Sequence, residues 1–138
     1  MLNFIRKRLS YASCTVYIGN VRLKAIMADS FIKRAIGLMY RENIAEDECM
    51  LFTFHGESML GIWMKSMKFP IDIIWLDSGK NIVTIKEALP PCKGIISCKT
   101  YYPERKSMYV IELHSGFVKK NSVTKLTEIK IERPEKRR

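Results

Sequence analysis

The chain has 138 residues, 47% hydrophobic and 28% charged, the size and balance of one domain with a sizeable core. No apolar run reaches the ~18 residues of a membrane span, and the N-terminus lacks the roughly 7–15-residue apolar region of a signal peptide, so the expected setting is cytoplasmic with no membrane partner. The net charge of +10 lies on the flanks, with +6 on residues 1–34, +5 on residues 117–138 and −1 on residues 35–116.

In chain order, residues 1–13 read as a basic N-terminal arm. Residues 14–18 and 21–27 look like strands joined by a Gly19-Asn20 turn, with Val21, Leu23 and Ala25 on one face and Arg22 and Lys24 on the other. Asp29-Ser30 supplies a helix cap, and Ile32, Ala35, Ile36 and Met39 fall at helical spacing, which predicts one helix over 29–38 ending near Gly37. Residues 50–54 are a core strand. Residues 62–67 alternate, which places Trp63, Lys65 and Met67 on one face. Residues 72–77, the Ser78-Gly79 turn and residues 82–87 form a hairpin. Residues 88–105, rich in Pro, Gly, Cys and Tyr, read as a long ordered loop of the kind that often covers a site. Residues 108–113 are a strand, Ser115-Gly116 starts a helical turn through Lys120, and residues 126–132 close the sheet before a basic tail at 133–138. The sum is a mainly β (α+β) single domain with its core at about 14–132. Its expected form is a small antiparallel barrel or strongly bent sheet of seven to eight strands with one helix packed across it.

The motifs of nucleotide-binding loops, serine hydrolases and zinc proteases are absent. Four cysteines, Cys14, Cys49, Cys92 and Cys98, are not expected to form a disulfide framework in a cytosolic chain, and the C-x5-C spacing of Cys92 and Cys98 does not suit zinc. No metal or cofactor is therefore expected. Cys92 and Cys98 are expected to lie close together around Gly94, bonded according to redox conditions. What stands out is charge inside apolar runs. Arg41, Lys65, Asp72, Glu87 and Glu112 interrupt segments otherwise fit for burial, and buried charges need partners. Lys65 is expected within ion-pair reach of Asp72 or Glu112, with Arg41 as the second cation.

These segments carry a resemblance. G-L-M-Y-R at 37–41, M-L-F-T-F at 50–54, W-M-K-S-M at 63–67, P-I-D-I-I-W-L-D at 70–77, the segment 87–90 and V-I-E-L-H-S-G at 110–116 resemble the uncharacterised family known as domain of unknown function 192. The resemblance covers roughly residues 14–132. The family pattern is G-L-M-x-R, G-M-L-F, W-M-K-N-T, P-L-D-I-I-F-L-D and L-E-L-x-A-G. This chain departs from it at Cys49, at Ser66-Met67, at Trp75 and at Ser115. The resemblance implies a mainly β fold and no established activity. It carries Arg41, Trp63, Lys65, Asp72 and Glu112 onto motif positions.

The functional expectation is a small polar or anionic ligand held by Arg41, Trp63, Lys65, Asp72, Glu87 and Glu112. Two alternatives stand beside it: a hydrolase-type enzyme using Asp72 and Glu112, and a nucleic-acid-associated module whose basic termini bind weakly, non-specifically and with strong salt dependence. The sequence names neither a reaction nor an oligomeric state.

Overall fold

The computed structural model describes residues 1–94 and 97–134. The remaining residues of the expected basic tail, 135–138, and Ile95 and Ile96 of the expected loop lie outside the described residues.

Nine strands form two sheets among the described residues. The elements run α1 (Leu2–Arg8), β1 (Ser13–Ile18), β2 (Val21–Ala28), α2 (Phe31–Ile36), β3 (Glu48–Ser58), β4 (Ile62–Trp63), β5 (Ile71–Leu76), β6 (Ile82–Leu89), β7 (Thr100–Tyr101), β8 (Ser107–His114), α3 (Phe117–Lys120) and β9 (Ile129–Glu132). Seven strands make one curled, half-barrel sheet in the order β6-β5-β8-β3-β2-β1-β9, and β4 pairs with β7 in a separate two-stranded sheet. The fold is thus mainly β, a strongly bent sheet with few helices.

Local signals explain much of this. The Gly19-Asn20 turn sets the β1–β2 hairpin, with Val16 opposite Leu23. Ser30 caps α2 by accepting a hydrogen bond from the Lys33 amide at 3.3 Å. Gly37 ends α2 at φ +51°, a conformation that side chains disfavour. All pairs of neighbouring strands are antiparallel except β2 and β3, which run parallel with Met27 opposite Leu51. Parallel neighbours cannot be joined by a tight turn, so the chain crosses over, and α2 sits in that crossover.

The strand β5 is buried at all six positions. Both faces of the sheet are therefore covered, as a strand that is apolar at every position but Asp72 requires. One face holds Val16, Leu23, Leu51, Ile74, Ile111 and Leu113 with Phe117 and Val118 of α3. The other holds Met50, Phe52, Ile71, Ile73, Trp75 and Val110 beneath Leu38, Leu60, Met64 and Met67.

Several boundaries differ from the sequence expectation. The basic arm contains the helix α1, and α2 is shorter than 29–38. The 88–105 segment is not all loop, since β6 reaches Leu89 and β7 lies within it. The largest change is at 62–67. After β4 the chain turns, with the Met67 amide donating to the Met64 carbonyl at 3.3 Å and Ser66 at φ +58°. Met64 and Met67 are buried by this turn, while Trp63 and Lys65 are left exposed. No single strand face carries Trp63, Lys65 and Met67 together.

Candidate functional site: a cleft over Glu112

Glu112 occupies the middle of the sheet. It lies on β8, directly opposite Met50 of β3 and Ile73 of β5. Its side chain points to the face of Val110 and Met50, and it is only 4% exposed. No hydrogen bond or ion pair to its carboxyl group occurs among the described residues. Burial without a partner pushes its pKa from 4.5 up to about 8, because desolvation penalises the charged form. At neutral pH the group keeps its proton and is a hydrogen-bond donor.

Glu112 lines a cleft of about 230 Å³, bounded by residues 34–39, Phe52, residues 61–63 and Met67. One wall is the end of α2 and the turn after it. Gly37 permits a close approach there, since a Cβ at this position would lie 3.1 Å from Phe52 Cζ. The opposite wall is β4 with the following turn. Gly61 makes that wall thin, because a Cβ there would come within 2.7 Å of Thr100 Cγ2 on β7. The two walls are tied by the Tyr40 amide, which donates to the Ser66 carbonyl at 3.0 Å. Cys92, bonded to Cys98 at a Cα separation of 5.7 Å, donates its amide to the Met64 carbonyl at 3.0 Å and braces the same turn.

Charge at the cleft is sparse. Arg34 lies on the α2 wall, where it donates to the Thr53 carbonyl at 3.1 Å and its guanidinium stands 4.9 Å over the Phe54 ring. Trp63, 46% exposed, forms the mouth, with the Lys65 ammonium 5.1 Å over its ring.

The residues singled out from sequence are scattered. Trp63 and Glu112 meet at the cleft. Lys65 stands at its mouth in solvent, forming an ion pair with neither Asp72 nor Glu112, so the expected pairing does not form. The turn at Met64–Met67 is the cause. Arg41 is half-buried, its guanidinium 5.6 Å over the Tyr11 ring and its Nε without a hydrogen-bond partner among the described residues. Glu87 is exposed next to the irregular β5–β6 pairing.

Asp72 is fully buried, but on the opposite face. It sits opposite Leu113, one position out of phase with Glu112. Its carboxylate accepts hydrogen bonds from the Ala88 amide at 2.8 Å and from the Val118 amide at 2.9 Å. These bonds hold the distorted end of β6, where Ala88 has φ +50°, and the first turn of α3. Neither Arg41 nor Lys65 forms an ion pair with it. Asp72 and Glu112 therefore cannot act as a carboxylate pair. Sequence reading missed Arg34, Gly61 and Phe52 as site residues. Only the glycines at 37 and 61, flanking apolar motif segments, hinted at close approach.

The chain resembles several known proteins. The UPF0127 proteins of Thermococcus kodakarensis and Thermococcus gammatolerans are 32% and 35% identical to it over 98 and 106 residues. Those matches cover 70% and 75% of this chain but 57% and 61% of the relatives, so the chain spans about three fifths of their length. The UPF0127 protein of Pyrococcus furiosus is 30% identical over 105 residues, covering 75% of this chain and 82% of that protein. Among solved structures, a candidate transcription regulator from Sinorhizobium meliloti 1021 matches with a TM-score of 0.79 at 29% identity, covering 89% of this chain and 96% of its own. A protein of unknown function from Novosphingobium aromaticivorans shares the fold, with a TM-score of 0.73 at 22% identity over 90% of this chain and 86% of its own. Residues 15–131 match the family described as "Uncharacterized ACR". The chain belongs to that family, domain of unknown function 192.

Proposed function

We propose that this protein is a binding module whose cleft takes a small ligand with an apolar body and one carbonyl or carboxylate group. The observation that carries this reading is Glu112, a carboxyl group 4% exposed, without a partner among the described residues, and facing the cleft. A bound acceptor would supply the hydrogen-bond partner that no described residue gives this group. The protonated acid would donate to the ligand oxygen. Phe52, Ile62, Trp63 and Met67 would enclose the apolar body, as in most small-ligand sites. Arg34 on the wall favours an anionic over a cationic group. This narrows the expectation of a small polar or anionic ligand and exchanges its cations, with Arg34 replacing Arg41 and Lys65.

Hydrolysis by a carboxylate pair has less support. Glu112 is the only carboxyl group among the lining residues, so the second acid-base group of such a reaction is missing from the cleft. A single acid with a raised pKa suits hydrogen bonding as well as proton transfer.

The test is two-dimensional NMR of the labelled protein against a panel of short-chain carboxylates, amides and amines. Carboxylates or amides should shift the Phe52 and Ile62 amides and the Trp63 indole, and Glu112→Leu should abolish those shifts while the protein stays folded. Shifts from amines alone, or shifts unchanged in Glu112→Leu, would refute the reading.

A further inference from the structure

The other unexplained surface lies on the two N-terminal helices. From Met1 to Ala28 the chain contains no acidic residue, while Arg6, Lys7 and Arg8 follow one another in α1. The helices α1 and α2 are neighbours. Both turn large apolar side chains outward: Leu2 is 40% exposed, Phe4 61%, Phe31 82% and Ile32 40%. The Arg8 guanidinium stands 4.5 Å over the Phe4 ring, so cation and aromatic group share one surface. Asp29, the first acid in the chain, is engaged by Lys33 at 3.5 Å.

We infer that α1 and the start of α2 form a docking surface for an anionic lipid bilayer, on which the protein sits peripherally without spanning it. The argument is complementarity. A bilayer surface offers negative charge to Lys7 and Arg8, and beneath its headgroups an apolar boundary for Phe4 and Phe31. Nucleic acid would satisfy the cations but has no use for Leu2 and Ile32. The apolar groups project from two short helices rather than line a groove, which suits a deformable surface better than a rigid partner. No helix among the described residues is long and apolar enough to cross a membrane. The inference departs from the sequence expectation of no membrane partner, because α1 turns an arm that looked merely basic into a surface that is both basic and apolar. It stands independently of the ligand reading.

The experiment is co-sedimentation of the full chain with phosphatidylcholine vesicles and with phosphatidylcholine/phosphatidylglycerol vesicles. Comparison proteins are Phe4→Ser/Phe31→Ser and Lys7→Gln/Arg8→Gln, each checked for wild-type circular dichroism. Binding should require phosphatidylglycerol. It should fall about tenfold or more in either double variant and in high salt. Because the two variants alter different side chains, loss of fold in one leaves the other decisive. The proposal is overturned by absence of binding to the anionic vesicles, by equal binding to neutral ones, or by binding that neither folded variant weakens. It is equally overturned if sedimentation velocity shows a dimer that Phe4→Ser/Phe31→Ser dissociates, which would give the surface to a second copy. Displacement of the protein from vesicles by duplex DNA in a Phe4- and Phe31-dependent manner would give it to nucleic acid.

Discussion

Two acids, Asp72 and Glu112, are both buried in the middle of the same sheet, on adjacent strands, one residue out of register. They face opposite ways and meet opposite fates. Asp72 enters the face covered by α3 and is met by two backbone amides, so its role is to hold a bulge and a helix start. Glu112 enters the face covered by α2 and the β4 turn, where among the described residues it has no hydrogen-bond partner and borders a mostly apolar cleft that Arg34 also lines. Burial alone therefore says little about function. A buried carboxyl group with its hydrogen bonds made is a structural staple; one with none made is held for something else, or is a cost.

The largest expected effect tests the Asp72 half. Asp72→Ala leaves the Ala88 and Val118 amides without their acceptor. At about 1–3 kcal/mol for each orphaned group, the loss in urea unfolding should be roughly 2–6 kcal/mol. Asp72→Asn, which keeps one acceptor oxygen, should lose less. If Asp72→Ala unfolds like the wild type, the staple does not exist.

Next comes pH. With its pKa raised from 4.5 to about 8, Glu112 holds a proton in the folded state that the unfolded chain releases. Its stability contribution is complete below pH 4.5 and declines as pH rises, until it is lost above about 8. Glu112→Gln should remove that decline and leave a variant more stable than the wild type at high pH by up to about 5 kcal/mol. The background from other groups cancels in the difference between the two proteins. A difference that is flat with pH would contradict the assignment.

The Cys92–Cys98 bond closes a short loop beside the cleft, a sequence separation of 6. Replacing both cysteines by serine should cost about 2 kcal/mol or less in non-reducing buffer. The change should also broaden the NMR signals of Ile62 and Trp63 more than those of α3, because β7 follows this loop and pairs with β4. Equal disturbance of both faces would blur the contrast between them. The smallest effect is Trp63→Ala. The ring is half exposed, so stability should change by roughly 0.5 kcal/mol, while carboxylate binding should weaken measurably.

What the sequence conveyed and what it hid follow from the range of the interactions. The β1–β2 and β5–β6 hairpins and the Ser30 cap rest on neighbours a few residues apart, and they are legible. The mainly β character follows from them. The parallel β2–β3 pair is set by contacts between distant segments and leaves no local mark. At 63–67 the alternation of Trp, Met, Lys, Ser and Met suggests a strand, yet Met64 and Met67, three apart, both turn inward around Ser66. That one turn moves Lys65 from the expected pocket wall into solvent. The sequence also presents Asp72 and Glu112 as equivalent acids in apolar runs. Only the pairing of Asp72 with Leu113 and of Ile73 with Glu112 separates them, and register between strands is invisible until the strands are placed. Arg34 was hidden for a similar reason: it reads as one of several helix cations until the end of α2 is seen to form a cleft wall.

Side-chain carboxyl 13C chemical shifts followed by NMR from pH 3 to pH 10, with Glu112 assigned through Glu112→Gln, bear most directly on the contrast between the two acids. Glu112 should titrate near pH 8, and addition of a ligand that accepts its hydrogen bond should move that midpoint further up. A midpoint at or below 4.5 would mean that the carboxyl group is solvated or paired in solution, and the cleft would lose the group on which its proposed role rests.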